Sequence, residues 1–291
     1  MATLRETAEK YAPLTDAEAE WLALLTADWQ IIADLSFADL VMWHAVDDGF
    51  VAIAQCRPST GPTVHQDDVV GTMAAPGRVA HLQRALDEGG ITASREPRWD
   101  ETYAVREDAL PIVMDGRRIA VLTREVSQAV SRSSSRLELN YKGAADDLLH
   151  MITRGEFPTQ MSVTGSRRGA PRVGDGVVRL DAAGHVTYAS PNALSCFHRL
   201  GVTGSLMNRS LPRVTSEPHY RQGTHRRDAR DGGDGARALA RRHRGQRCDA
   251  VHAGHPRDRA RRAHRRRAAV PRRLGAFVGA SVSHHEGRDD S

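Results

Sequence analysis

Apolar residues at Trp21, Leu22, Leu25, Trp29 and Ile32 recur every three or four positions, the stripe of an amphipathic helix. Thr15-Asp16-Ala17-Glu18 stands at its start as a capping box, in which the Thr15 oxygen accepts from the backbone and Glu18 reaches back. The stripe is short for an autonomous coiled coil, so it is expected to pack on its own domain; a second subunit is the other surface it fits. The pattern then changes period. Residues 39–45 and 50–55 are two β-prone runs joined by Asp47-Asp48-Gly49, and residues 110–114 and 117–123 are two more joined by Asp115-Gly116. An Asp-Gly step between β-prone runs predicts a hairpin. Between the hairpins, residues 57–105 are rich in Pro, Gly and charge, with one amphipathic patch at Val79–Leu86, as suits long loops or a lid over a sheet. Leu137, Tyr141, Ala144, Leu148 and Met151 restore helical spacing and predict a connecting helix.

Residues 155–172 read as a linker. A new unit opens at Gly174, with a strand to Asp181, a turn at Ala182-Ala183-Gly184 and a strand over residues 185–189. Ser190-Pro191 then supplies a helix start, serine as N-cap and proline at the first helical position. Past about Met207 the periodicity stops.

Charge divides the chain at the same place. Residues 209–291 hold 21 Arg, no Lys and 9 Asp+Glu, a net of +12, which leaves −7 for residues 1–208 and accounts for the overall +5. The basic character belongs to the tail alone. No run of about 18 apolar residues occurs, and the first residues lack the apolar core of a signal peptide. Cys56, Cys196 and Cys248 are too scattered for a disulfide framework or a zinc knuckle, so a cytoplasmic location is expected. No Walker loop and no Gly-x-Ser-x-Gly elbow appears.

Several longer stretches resemble one family: Trp29-Gln30 with residues 33–39 (Ala-Asp-Leu-Ser-Phe-Ala-Asp), Ala54–Pro58 with residues 60–63, Val121–Arg124, and residues 190–195 with His198-Arg199. They are similar to the PdtaS group of actinobacterial cytosolic sensor histidine kinases, over roughly residues 29–207. The resemblance implies an α/β (α+β) architecture: a GAF sensor domain with a central antiparallel sheet flanked by helices over residues 1–127, then a connecting helix and linker over 128–171. A partial PAS domain over 172–208 and a disordered, Arg-rich tail over 209–291 would follow. In that family a phosphoacceptor histidine and an ATP-binding domain come next, and neither motif occurs in these 291 residues; His284-His285 is followed by Glu286-Gly287-Arg288. No catalytic residue is therefore assigned, and this chain alone is expected to be inactive.

The tail has the composition of GC-rich DNA translated out of frame. Shifted by one nucleotide, codons permitted for residues 271–276 and 283–291 can encode segments similar to the end of the family's PAS domain and to the stretch before its phosphoacceptor. A change of reading frame between about residues 200 and 217 is the expectation.

The resemblance implies a sensory module of a two-component kinase, a homodimer through its helices, with a response regulator as partner of the full-length family and no membrane contact. ATP and Mg²⁺ are expected only for that full-length family, and no cofactor or metal in this chain. A small-molecule or nucleotide ligand is expected in the GAF pocket, with Trp29, Trp43, Cys56, Arg57 and Thr63 as candidate contacts. Cys56 beside Arg57 reads either as a thiolate-prone thiol or as a small buried hydrophobe. His44, His65 and His81 lack ligand spacing and are expected to be solvated or satisfied in the core. The alternative function is a nucleic-acid-binding regulator acting through a genuine basic tail, which predicts steep salt dependence. Aromatic residues hardly interleave with that tail, so nucleic acid is the less favoured partner.

Overall fold

A computed structural model describes residues 4–11, 13–100, 103–128, 134–158, 172–216, 249–250 and 276–281. The chain divides into two compact units at Ala170/Pro171.

In the first unit a short helix α1 (Leu4–Glu9) precedes α2 (Asp16–Ser36). The predicted capping box is formed: Thr15 Oγ1 accepts from the Glu18 amide, and Glu18 returns to the Thr15 amide at 3.0 Å. Helix α2 ends where Phe37 turns into the left-handed region at φ 53°, and its ring stacks at 6.3 Å on Tyr141. The first hairpin follows as β1 (Asp39–Val46) and β2 (Gly49–Cys56). After a long loop come α3 (Pro76–Glu88) and two short strands, β3 (Thr92–Ala93) and β4 (Arg98–Asp100). The second hairpin is β5 (Tyr103–Met114) with β6 (Arg117–Ser127). Its turn has positive φ at both central residues, Asp115 (49°) and Gly116 (80°), the conformation that matches the right-handed twist of paired strands. Helix α4 (Arg136–Thr153) closes the unit, opened by a second capping box from Ser135 and Glu138.

The strands form one antiparallel sheet in the order β2-β1-β6-β5-β3, with β4 also on β5. Alternate residues of each strand face opposite layers. Val41, Trp43, Ala109 and Val121 pack with Leu82 and Ala85 of α3, which defines the α3 face. On the other face Arg124 of β6 reaches Asp146 of α4 at 2.6 Å, and α4 packs beside α2. The expected connecting helix is therefore part of the first unit, because Tyr141, Ala144, Ala145, Leu148 and Leu149 bury its apolar stripe. The loop-rich excursion is likewise more regular than its composition suggested: the amphipathic patch is the core-facing half of α3.

The second unit holds β7 (Val177–Leu180), β8 (Val186–Ala189) and α5 (Pro191–Arg199), with Ser190 capping α5 as predicted. The ordered part continues past the expected boundary at residue 208. Helix α6 (Leu211–Ser216) buries Leu211 and Val214 in the same cluster as Val178, Val186 and Phe197. Further on, β9 (Asp249–Ala250) and β10 (Ala276–Ser281) complete a sheet of order β8-β7-β10-β9, with β10 antiparallel to β7. The tail expected to lack structure thus contributes a helix and two strands, because its few β-prone runs, Ala276-Phe277-Val278 above all, can pair with the open edge of β7. The remaining residues of that tail lie outside the described ones.

Candidate functional site

On the α3 face one register row is charged throughout. Glu107 of β5 lies directly opposite Glu125 of β6, and Glu125 lies opposite Asp39 of β1. Directly opposed residues point to one side, so three carboxylates stand in line across three strands. All are buried: Asp39 and Glu125 are 0% exposed and Glu107 is 3% exposed. Like charges placed so are destabilising unless each finds partners.

The partners come from four elements. Arg78, in the first turn of α3, donates to Glu107 Oε2 at 2.7 Å and also pairs with Glu125 Oε1. Arg98 of β4 donates to Glu125 Oε2 at 2.9 Å, and so does His65 Nε2, at 2.9 Å, from the long loop. Thr123 donates to Glu125 Oε1 at 3.0 Å, and itself accepts from Trp43 Nε1 at 3.0 Å. The Arg78 guanidinium lies over the Trp43 ring, 4.4 Å from its centroid. That contact is worth about 2 kcal/mol in a desolvated setting. Asp39 is held by neutral donors, the Thr63 hydroxyl at 2.6 Å and the Val64 amide at 2.7 Å.

These partners set the carboxyls apart. Burial alone would raise Glu125, but Arg78, His65 and Arg98 overcome it and hold the group at about 2. Burial raises Glu107 as well, with Glu125 adding to the rise, and there Arg78 and Arg98 do not fully compensate. Of the two glutamates, Glu125 thus stays the anion and Glu107 is the one more easily protonated. Next to Glu107, His81 Nε2 is buried without a hydrogen-bond partner, 3.8 Å from Glu107 Oε1. Arg84 Nη2 lies 2.8 Å from His81 Nδ1. A guanidinium only donates, so Nδ1 accepts and the neutral ring carries its proton on Nε2. Burial, then Arg84 and Arg78, depress the His81 pKa and keep the ring neutral.

Of the residues singled out in the sequence, Trp43 forms the floor of this site. Trp29 lies buried on α2 in the opposite helix layer. Thr63 touches the row only through Asp39. Cys56 and Arg57 sit at the end of β2 in a clamp that orders the loop. There, Asp34 Oδ1 accepts from the Ser59 amide at 2.7 Å and from Gln30 Nε2 at 3.0 Å. Arg57 turns away from the thiol and donates to the carbonyls of His65, Gln66 and Asp67. The reading of Cys56 as a thiolate favoured by Arg57 is corrected: burial, then the carboxylates of Asp34 and Asp39, push the thiol up to about 12. Iodoacetamide at pH 8 is expected to leave Cys56 unmodified in the folded chain and to label it fully in urea, as peptide mass mapping would read. Labelling at the rate of a free thiol in the folded state would contradict this burial.

Arg78, Arg98, Glu107 and Glu125 went unread in the sequence. The signal for the two glutamates is there in hindsight: Glu107-Asp108 and Arg124-Glu125 are charged pairs inside otherwise β-prone runs. Such pairs put one charge on each face of a buried sheet.

The GAF-domain profile of the histidine kinase PdtaS family matches residues 4–145. A solved structure, the sensor region of a sensor histidine kinase, superposes with a TM-score of 0.67 at 31% identity, covering 97% of this chain and 98% of that one. The chain belongs to the PdtaS family of sensor histidine kinases. The sensor histidine kinase PdtaS of Mycolicibacterium smegmatis (strain ATCC 700084 / mc(2)155) is 36% identical over 247 residues, 81% of this chain and 49% of that protein. Its namesake in Mycobacterium tuberculosis (strain ATCC 25618 / H37Rv) is 41% identical over 213 residues, 71% of this chain and 42% of that protein. The chain thus spans about half the length of the PdtaS relatives it matches. The first unit is the GAF domain of this PdtaS-family chain, and the charged row lies between its sheet and α3. Among the described residues no helix is long and apolar enough to cross a membrane.

Proposed function

We propose that this chain is the sensory part of a two-component histidine kinase, in which the α3 face of the GAF domain receives a small ligand. The observation that carries the reading is the buried box of Trp43, Glu107 and Glu125, closed by a helix whose hydrogen bonds to the two carboxylates all come from one side chain, Arg78. Polar groups at such cost under a detachable cover are what a binding site needs and a plain core does not. The second unit, a hairpin followed at once by a helix, serves as a PAS-like relay. The family's kinase core would autophosphorylate a histidine with ATP and Mg²⁺ and pass the phosphoryl group to a response regulator, with the chain acting as a homodimer in the cytoplasm.

Residues 1–216 grafted in place of the matching region of the Mycobacterium tuberculosis relative test this. The chimera is expected to autophosphorylate with ATP and Mg²⁺, and Arg78→Ala in the graft is expected to change its rate severalfold. A chimera that autophosphorylates at one rate whatever is done to the α3 face would refute the sensory assignment.

A further inference from the structure

The site's geometry is that of a guanidinium receptor already occupied by one of the protein's own side chains. Its floor is an aromatic ring, Trp43, and its wall is two carboxylates on paired strands, Glu107 and Glu125. The flat cation between them belongs to Arg78, stacked at 4.4 Å on the ring and donating to Glu107 from both Nε, at 3.2 Å, and Nη2, at 2.7 Å. The anions cannot leave, because they sit in the middle of a sheet. The cation can. Arg78 lies in the first turn of α3, preceded by Pro76 and Gly77, and the N-cap residue Ala75 makes no side-chain capping bond. Glycine in a helix costs about 1 kcal/mol relative to alanine, and a missing cap costs a similar amount. A positive side chain also opposes the positive end of the helix dipole. Helix formation therefore does not hold Arg78 in place; the box does. One further group is turned to the box without a partner, the Nε2–H of His81, 3.8 Å from Glu107.

We propose that the Trp43–Glu107–Glu125 box binds a planar organic cation of the guanidinium class, whose place Arg78 holds when no ligand is bound. The ligand stacks on Trp43, donates in the plane to both carboxylates, and offers an acceptor to His81 through its substituent. Its entry displaces Arg78 and frees the first turn of α3, so binding and loosening of the cover are one event. An anionic ligand fits poorly, since Arg78 and Arg98 are already engaged by fixed carboxylates and Arg84 donates to His81 Nδ1 and the Ala93 carbonyl. This rests on the sensory reading above and supplies the ligand class that reading lacks.

The experiment uses the whole chain and methylguanidinium as probe, with urea as the neutral planar control and acetate as the anionic one. Arg78→Ala empties the box, and its Tm is expected to fall. Methylguanidinium should restore about 3–6 °C at ten times its dissociation constant, while urea and acetate restore nothing. In the wild type, whose fold is not in question, the probe should shift the Arg78 Nε–Hε resonance, assigned by its loss in Arg78→Lys. Adding Glu125→Gln to Arg78→Ala should weaken the rescue at least tenfold. The proposal is overturned if the probe does no better than urea on Arg78→Ala and leaves the wild-type resonance unmoved, or if acetate is the ion that binds. These outcomes leave the chimeric kinase free to respond to another ligand. Conversely, a rescued box in a chimera that ignores the α3 face would keep this inference and remove the sensory role.

Discussion

Replacing Glu125 by alanine is expected to destabilise the first unit by about 3–5 kcal/mol, a fall in Tm of about 6–20 °C. The size follows from what remains behind. Arg78 and Arg98 keep their charges, and Arg78 is then left with Glu107, the weaker carboxylate, while Arg98 and His65 lose the acceptor they share. Glu107→Gln is the contrast and is expected to stay within about 1 kcal/mol at pH 7, because a carboxyl whose pKa is raised in the fold contributes little as an anion there. Acid supplies a second check. The folded pKa of Glu125, about 2, is below the ordinary glutamate value of 4.5, so its contribution is complete above pH 4.5 and is lost as pH falls towards 2. The stability gap between wild type and Glu125→Gln should therefore be constant from pH 7 to about 5 and close below that. Chemical denaturation across that range reads it, and a gap independent of pH would show that Glu125 is not the fixed anion.

Gly176→Ala is expected to be the most damaging single-atom change in the second unit. Gly176 has φ 109°, and a Cβ there would lie 2.8 Å from the Ala193 amide nitrogen and 2.9 Å from its Cα. Both are backbone atoms of α5, so no side-chain rotation can relieve them. The Ala193 amide is also the one that Ser190 Oγ caps at 3.3 Å, while the same oxygen receives the Val177 amide at 2.9 Å. One methyl group thus strains the residue's own backbone and pushes apart a three-way joint of strand, cap and helix. A cost of about 2–4 kcal/mol is expected. Limited proteolysis should cut within residues 172–216 in the variant while the first unit stays resistant. Equal resistance of variant and wild type would mean that α5 does not seat against Gly176.

The elements were largely legible, because local chemistry dictates them. Thr15 with Glu18, Asp115-Gly116 and Ser190-Pro191 each act within four residues, and each stands where its pattern placed it. The box was not legible, for the opposite reason. Its members lie at positions 43, 65, 78, 98, 107 and 125, and only strand register together with the docking of α3 and the long loop brings them together. Trp43 was picked out by residue type, whereas Glu107 and Glu125 lie just outside the predicted runs 110–114 and 117–123, and only the longer pairing of β5 with β6 sets them face to face. Of the two readings of Cys56, the buried hydrophobe holds and the thiolate fails, because the latter took adjacency to Arg57 in sequence for adjacency of functional groups. At a strand end successive side chains diverge, and Arg57 went to the loop carbonyls.

The two charged dipeptides of the second hairpin give the sheet a property of its own. Glu107 and Glu125 bind the α3 layer, while their immediate neighbours Asp108 and Arg124 pair on the other face, where Arg124 also grips Asp146 of α4. The fastenings of cover and supporting helix are thus separated by one peptide unit on the same two strands. Any slip of β6 against β5 that suits a new occupant on one side must re-seat a guanidinium on the other.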